Sequence, residues 1–250
     1  MTYCLAVRLN AGLVFASDTR TTAGVDHVSS YRKMHTFVRE GERLFVLLSA
    51  GNLATTQSVV KEIELDNKLE RERSLFSAEN FHDAAAYVGT ISAAIQKRHD
   101  GMTQQREVSF EATFILGGQI AGEEHELALV YPPGNFISVS PDHPYLQIGE
   151  TKYGKPILDR FITASVSLED AARCALVSID STIRSNLSVG PPVDLLIYQR
   201  DTMKATHQLR FKANTPYFTS LRKHWTEGLR NIFEDLPRFE WERAEDRKES

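Results

Sequence analysis

The order in which two hydrophobic periodicities alternate along this chain is its strongest constraint on fold. Residues 3–9 and 13–18 are short apolar runs joined by Asn10-Ala11-Gly12, and 34–38 and 44–50 form a second pair joined through Glu40-Gly41-Glu42. Both pairs read as strand hairpins. Helical spacing takes over from about Leu53 to Leu69, and again through Phe81, Ala84, Val88, Ile91 and Ile95. The strand pattern returns in Phe110, Ala112, Phe114 and Leu116, then in 127–131, 136–139 and 145–148. Helices are expected again at about 152–163 and 168–184, the second opened by Ser167 with Asp170 three residues on, a capping-box-like start. Residues 193–198 and 208–211 close the series as strands. The stretch 19–30 reads as a polar loop, and Gly117-Gly118 with Gly122 as a hairpin turn.

Periodicity alone establishes an α+β chain. Strands, two helices, strands, two helices and strands suit two packed sheets with helices outside each, so the expected fold is a four-layer αββα sandwich of two antiparallel sheets. With 42% apolar and 25% charged residues over 250 positions, and no compositional break, one core is expected. Residues 1–232 therefore read as a single domain, and 233–250, dense in Glu, Arg, Asp and Lys, as a charged extension carrying Phe239 and Trp241.

Composition also removes several function classes. A net charge of −4 made of interspersed charges offers no long-range attraction for nucleic acid or anionic lipid. The two cysteines, Cys4 and Cys174, lie in apolar segments and supply neither a disulfide framework nor metal-type spacing, which fits a reducing compartment. None of the eight histidines pairs at metal-ligand spacing with a carboxylate, so no metal is expected. The amino end lacks a basic segment followed by an apolar core, and no apolar run reaches membrane-spanning length. A soluble, cytoplasmic protein is the expectation.

Chemistry enters at Thr2. A threonine hydroxyl is a weak nucleophile until a base takes its proton, and an amino-terminal threonine carries that base itself. The free α-amine has an ordinary pKa of about 7.7–8.0, so it can accept the hydroxyl proton near neutrality. Met1 blocks this arrangement until it is removed, and the small side chain at the second position is of the kind methionine aminopeptidases accept. Cys4 shares the strand face of Thr2 and reads as a small packing residue.

The run Thr2…Gly12-Leu13-Val14-Phe15-Ala16-Ser17-Asp18-Thr19-Arg20, then Lys33, then Leu48-Ser49-Ala50-Gly51-Asn52, resembles the amino-terminal half of proteasome β-subunits. In that family a nucleophilic Thr opens the first strand, an acid ends the second, a lysine begins the third and a glycine ends the fourth. Thr2, Asp18, Lys33 and Gly51 stand in those places, the interval from Thr2 to Asp18 matching the family's and small loop-length changes placing the other two. Singly, Asp18, Lys33 and Gly51 are ordinary strand-end residues; their joint order with Thr2 carries the reading. Lys33 would lower the cost of the alkoxide, Asp18 would hold its ammonium, and the Gly51 N–H would serve the oxyanion.

The resemblance extends over roughly residues 2–200. Val193-Asp194-Leu195-Leu196-Ile197-Tyr198 looks like the late strand opened by a structural-catalytic aspartate, which implies that Asp194 hydrogen-bonds near the Thr2 amine. Glu150 stands where the family usually has a serine, and an ionised carboxylate cannot donate, so the usual proton relay is altered there. Thr2-Tyr3-Cys4, Gly12 to Thr21 and Gly149 to Arg160 resemble in particular the bacterial ancestral β-subunit group, Anbu. What this implies is an N-terminal-nucleophile (Ntn) threonine peptidase without cofactor, acting on peptide or unfolded polypeptide. The subunit would self-assemble into a ring or open-ring homo-oligomer. The same analogy puts Thr21, Tyr31, His35, Ser49 and Leu53 around the first specificity pocket. A non-proteolytic amidohydrolase and a catalytically silent scaffold subunit are the other readings.

Overall fold

The computed structural model describes residues 2–23, 27–101 and 109–242. Met1 and the last eight positions of the charged extension lie outside the described residues.

The first hairpin, β1 (Tyr3–Leu9) and β2 (Gly12–Asp18), forms the middle of one sheet. Its turn needs a glycine, because Gly12 has φ +144° and an added Cβ would come within 2.0 Å of the Tyr198 carbonyl oxygen. The second hairpin, here β5 (Met34–Arg39) and β6 (Arg43–Gly51), starts the other sheet. Between them, the segment expected as a polar loop instead forms a small two-stranded sheet, β3 (Arg20–Ala23) with β4 (His27–Ser30). Its threonines and serines pair along the backbone without the apolar alternation that marks a strand in sequence.

Two helices follow, α1 (Leu53–Lys68) and α2 (Phe81–Gly101), then strands β7 (Ala112–Ile120), β8 (Glu126–Val130), β9 (Phe136–Ser138) and β10 (Tyr145–Gly149). Next come α3 (Lys155–Phe161), α4 (Leu168–Ser185), β11 (Val193–Gln199) and β12 (His207–Phe211). α3 starts three residues later than the expected 152, where Gly154 takes the cap position and Pro156 the first turn. α4 starts as expected, the Ser167 side chain accepting from the Asp170 N–H.

The sheets run β10-β1-β2-β11-β12 and β5-β6-β7-β8-β9, with every pairing antiparallel. Leu44, Val46 and Leu48 of β6 face Cys4, Ala6 and Phe15 across the inter-sheet core. Phe45 and Leu47, on the other face of β6, pack with Val59, Ile63 and Val88 of the α1–α2 layer. Both faces of this strand are covered, which explains a run with no polar alternation from Leu44 to Leu48. On the far side α4 lies against β1, β2 and β11, presenting the small residues Ala171, Ala172, Ala175 and Ser178 among its buried positions. The architecture is the four-layer αββα sandwich.

Gly117 and Gly118 lie inside β7 rather than in a turn. A Cβ on Gly117 would stand 2.6 Å from the Phe15 ring and 2.3 Å from a Leu127 methyl, so the glycine makes room for Phe15 to cross the core. Gly122, with φ +85°, follows the strand.

The chain divides into two compact units, one up to Ala213 and one from Asn214 onward. The second contains α5 (Pro216–Glu234), a helix absent from the sequence reading, opened by Pro216 in its first turn. Beyond it the Phe239 and Trp241 rings stack with centroids 4.3 Å apart. Among the described residues no helix is long and apolar enough to cross a membrane, and no group of three His, Cys, Asp or Glu side chains is placed to hold a metal ion. Both cysteines are free and buried.

Because Phe15 is fully buried where the two sheets meet, Phe15→Ala is expected to lower the unfolding free energy by about 3–5 kcal/mol in denaturant titration. Ile137→Ala, at a position 47% exposed, is expected to stay within about 0.5 kcal/mol.

Candidate active site

Thr2 immediately precedes β1 and is seated by backbone contacts. Its carbonyl accepts the Glu150 N–H at 2.7 Å, just past the end of β10. Gly149, paired with Tyr3, has φ +85°, and a Cβ there would fall 1.9 Å from the Thr2 carbonyl oxygen. Only glycine fits that approach. The next residue, Tyr3, donates its N–H to Asp18 Oδ1 at 3.0 Å and shares its hydroxyl with Ser178 Oγ at 2.7 Å. The start of β1 is thereby fixed to β2, β10 and α4 together.

Asp18 ends β2 with no solvent exposure. Its Oδ1 also accepts from Lys33 Nζ at 2.6 Å, and its Oδ2 accepts the Gly190 N–H at 3.2 Å. Burial pushes the Asp18 carboxyl up, against the Lys33 ammonium and the Tyr3 and Gly190 N–H groups, which favour its charged form. Lys33, on the approach to β5, is 5% exposed and gives a second bond to the Arg20 carbonyl at 2.6 Å. Two opposite charges are therefore held out of water within one residue of Thr2.

Gly51 is the last residue of β6, opposite Ala112, and is exposed. It has φ +112°, and a Cβ would lie 2.3 Å from the Glu111 carbonyl oxygen. The next residue, Asn52, caps α1 through its side chain, which accepts the Thr55 N–H at 3.2 Å. The Gly51 backbone thus sits at the positive end of a helix.

Asp194 is placed differently. It stands on β11 opposite Ser17 and opposite Arg210 of β12, with its carboxylate 3.3 Å from Arg210 Nη1. Burial pushes this carboxyl up, opposed by Arg210 and Arg32. Among the described residues no hydrogen bond joins Asp194 to Thr2.

The five residues expected around the specificity pocket come from β3, the residue after β4, β5, β6 and the start of α1. Thr21 pairs with Ser29 in the β3–β4 hairpin, and Tyr31 follows it, 39% exposed. His35 lies on β5 opposite Leu47; burial pushes its imidazole down, against Glu64. Ser49 is joined to the Lys33 carbonyl through its N–H at 2.9 Å, and Leu53 opens α1. A cavity of about 570 Å³ is bounded by Gly51, Asn52, Glu111, Tyr131, Gln147, Gly149 and Thr151 among others, and none of the five lines it. Cys4 packs in the inter-sheet core with its Sγ 3.7 Å from the Ser49 carbonyl oxygen. Burial pushes its thiol up, which leaves the neutral form.

Sequence reasoning missed the segment 186–190. Gly190 supplies the donor on Asp18 Oδ2, and Asn186 Nδ2 donates to Glu150 Oε2 at 2.9 Å. The available signal was the cluster of turn residues, Asn186, Ser188, Gly190 and two prolines, directly before β11.

No protein-family model matches the chain, and no curated protein does. Solved structures do. The Anbu (ancestral β-subunit) protein from Yersinia bercovieri is 46% identical over 96% of this chain and 99% of its own, with a TM-score of 0.90. An Anbu (Gly-1) mutant from Hyphomicrobium sp. strain MC1 is 47% identical over 96% of this chain and 100% of its own, with a TM-score of 0.89. The helical assembly of the Anbu complex from Pseudomonas aeruginosa is 47% identical over 95% of this chain and 98% of its own, with a TM-score of 0.90. Identity at this level over nearly the full length of each relative, on the same sandwich, means that the chain belongs to the Anbu family of proteasome-like ancestral β-subunits.

Proposed function

We propose that this subunit is a threonine-type Ntn hydrolase that cleaves peptide bonds through an acyl-enzyme on Thr2 once Met1 is removed. The observation that carries the reading is the buried Lys33–Asp18 pair, 2.6 Å apart and hydrogen-bonded to the amide of the residue that follows Thr2. In this reading the freed α-amine takes the hydroxyl proton, and Oγ attacks the substrate carbonyl carbon. The Lys33 ammonium favours the alkoxide, and the Gly51 N–H donates to the developing oxyanion. Collapse expels the leaving amine, which carries away the proton. Water, activated by the same α-amine, then hydrolyses the ester and restores Thr2. Thr2, Asp18, Lys33 and Gly51 are the proposed catalytic set. Asp194, on the neighbouring strand β11 with its carboxylate engaged by Arg210, is proposed beside that set as a residue supporting the Thr2 amine. Thr21, Tyr31, His35, Ser49 and Leu53 are the proposed substrate-facing residues.

The substrate class is peptide or unfolded polypeptide, within a homo-oligomer. The relative from P. aeruginosa forms a helical assembly, and self-assembly of this chain into an open-ring or helical particle is proposed on that likeness. A catalytically silent subunit is the second reading, supported by Glu150. Its carboxylate accepts from Asn186 and has no proton to donate when ionised.

Three outcomes follow from the hydrolase reading. Intact mass of the purified protein is expected to show loss of Met1 and one adduct after exposure to an electrophile selective for terminal threonines, absent in Thr2→Ala; a processed chain that never reacts would remove the mechanism. The rate of adduct formation is expected to rise with pH through the range of the α-amine, about 7.7–8.0, because only the neutral amine accepts the hydroxyl proton. Lys33→Ala is expected to abolish the adduct and, by leaving Asp18 buried without its counter-ion, to cost about 3–5 kcal/mol of stability in denaturant titration.

A further inference from the structure

Glu150 is 8% exposed, and its two ends are put to separate uses. Its backbone N–H holds the Thr2 carbonyl at 2.7 Å, while its Oε2 accepts from Asn186 Nδ2 at 2.9 Å. Its other oxygen is 3.6 Å from Lys152 Nζ, whose side chain is 67% exposed, a contact that water weakens. The Asn186 bond is therefore the one that matters for a buried carboxylate.

Asn186 in turn organises the segment that leads to β11. Its N–H ends α4 on the Thr182 carbonyl, its Oδ1 accepts the Ser188 N–H at 2.9 Å, and its carbonyl accepts the Val189 N–H at 3.1 Å. Arg20 grips the same segment from outside, donating Nη1 to the Leu187 carbonyl at 2.8 Å and its N–H to the Gly190 carbonyl at 3.3 Å. Gly190 then gives its own N–H to Asp18 Oδ2. Val189 is buried but Leu187 is 89% exposed, so polar contacts carry most of the load along this stretch. From Glu150 through Asn186 to Gly190, the polar contacts run from the seat of Thr2 to the carboxylate that holds Lys33.

We infer that Glu150 is a positioning residue: through Asn186 it fixes the 186–190 segment, and with it the Gly190 N–H on Asp18, relative to the seat of Thr2. It acts by accepting a hydrogen bond, and its charge serves no proton transfer. The kinetic part of this inference rests on the Thr2 reading; the structural part stands independently of it.

Reversing the direction of the hydrogen bond tests it. Adduct formation by the terminal-threonine electrophile is measured on the full chain in wild type, Glu150→Gln, Asn186→Asp, the double variant E150Q/N186D and Glu150→Ala. Glu150→Gln keeps an acceptor opposite Asn186 and is expected within about threefold of wild type. Asn186→Asp sets two carboxylates against each other and Glu150→Ala removes the acceptor; each is expected to slow the reaction about tenfold or more, the order of one hydrogen bond to a charged group. In E150Q/N186D the glutamine amide donates to the new carboxylate, and the rate is expected to return to within about threefold of wild type. A double variant as slow as N186D, or a Glu150→Ala chain that reacts like wild type, would overturn the inference. Amide hydrogen exchange of residues 186–190 in the Thr2→Ala background gives a readout that needs no chemistry. Faster exchange confined to this segment in N186D and its reversal in the double variant support the clamp, and unchanged exchange in N186D refutes it. If wild type itself never reacts, the hydrolase proposal fails and the exchange experiment alone decides the clamp.

Discussion

The contact on which the candidate site depends is the buried pair of Asp18 and Lys33. Removing two charges from water is expensive, and attraction between them offsets the cost only when their remaining hydrogen-bonding capacity is also met. Here it is met by distant pieces of backbone: the Tyr3 and Gly190 N–H groups on the carboxylate and the Arg20 carbonyl on the ammonium. The start of β1, the ends of β2 and of the 186–190 segment, the start of β3 and the approach to β5 consequently meet at one point. Such a pair adds little to stability compared with apolar side chains of similar volume, but it fixes where each of those segments must lie.

Rigid surroundings keep the meeting point in place. Phe15, Leu196 and Tyr198 from one sheet and Leu44, Val46 and Leu48 from the other fill the space between the sheets, and packing of that density resists small displacements. At the open end of this core two glycines shape the walls. Gly149 lets the β10 end close on the Thr2 carbonyl, and Gly51 lets the β6 end close on the Glu111 carbonyl, neither approach leaving room for a Cβ. The backbone at the Thr2 carbonyl and at the end of β6 is thus set by close contacts between chain segments.

These contacts also explain which parts were legible in the sequence. Strands β1, β2, β5 and β6 were readable within a residue or so because each pair is joined by a short turn and each is apolar on at least one face. Asp18, Lys33 and Gly51 stand at or beside the ends of those strands, so hairpin boundaries locate them in the sequence, while the packing of one sheet on the other brings Lys33 onto Asp18. The β3–β4 hairpin was not legible, since Arg20-Thr21-Thr22-Ala23 has the composition of a loop. α5 is hard to read in the sequence although Phe218, Leu221, Trp225, Leu229 and Ile232 follow helical spacing, because polar and charged residues interrupt them throughout. Asp194 could not be placed from its own segment. Its partners depend on β11 pairing with β2, early in the chain, and on Arg210 arriving from β12. The Glu150–Asn186 bond links residues 36 apart with no local pattern to announce it.

The same energetics bear on the choice between a hydrolase and a silent subunit. A fully desolvated carboxylate and a 5% exposed ammonium add little stability beyond an apolar pair of the same volume, so what they give a subunit needed only for its shape is the placing of the segments that meet there. The hydrolase reading proposed above gives the ammonium a second use, since a charge held in place before reaction stabilises an alkoxide without rearranging as it forms. Glu150 is compatible with that account if its task is to hold Asn186, because a bond acceptor at that position needs no proton to give. A carboxylate that only accepts is then a feature of how the site is assembled, and its inability to act as an acid is no argument against catalysis by Thr2.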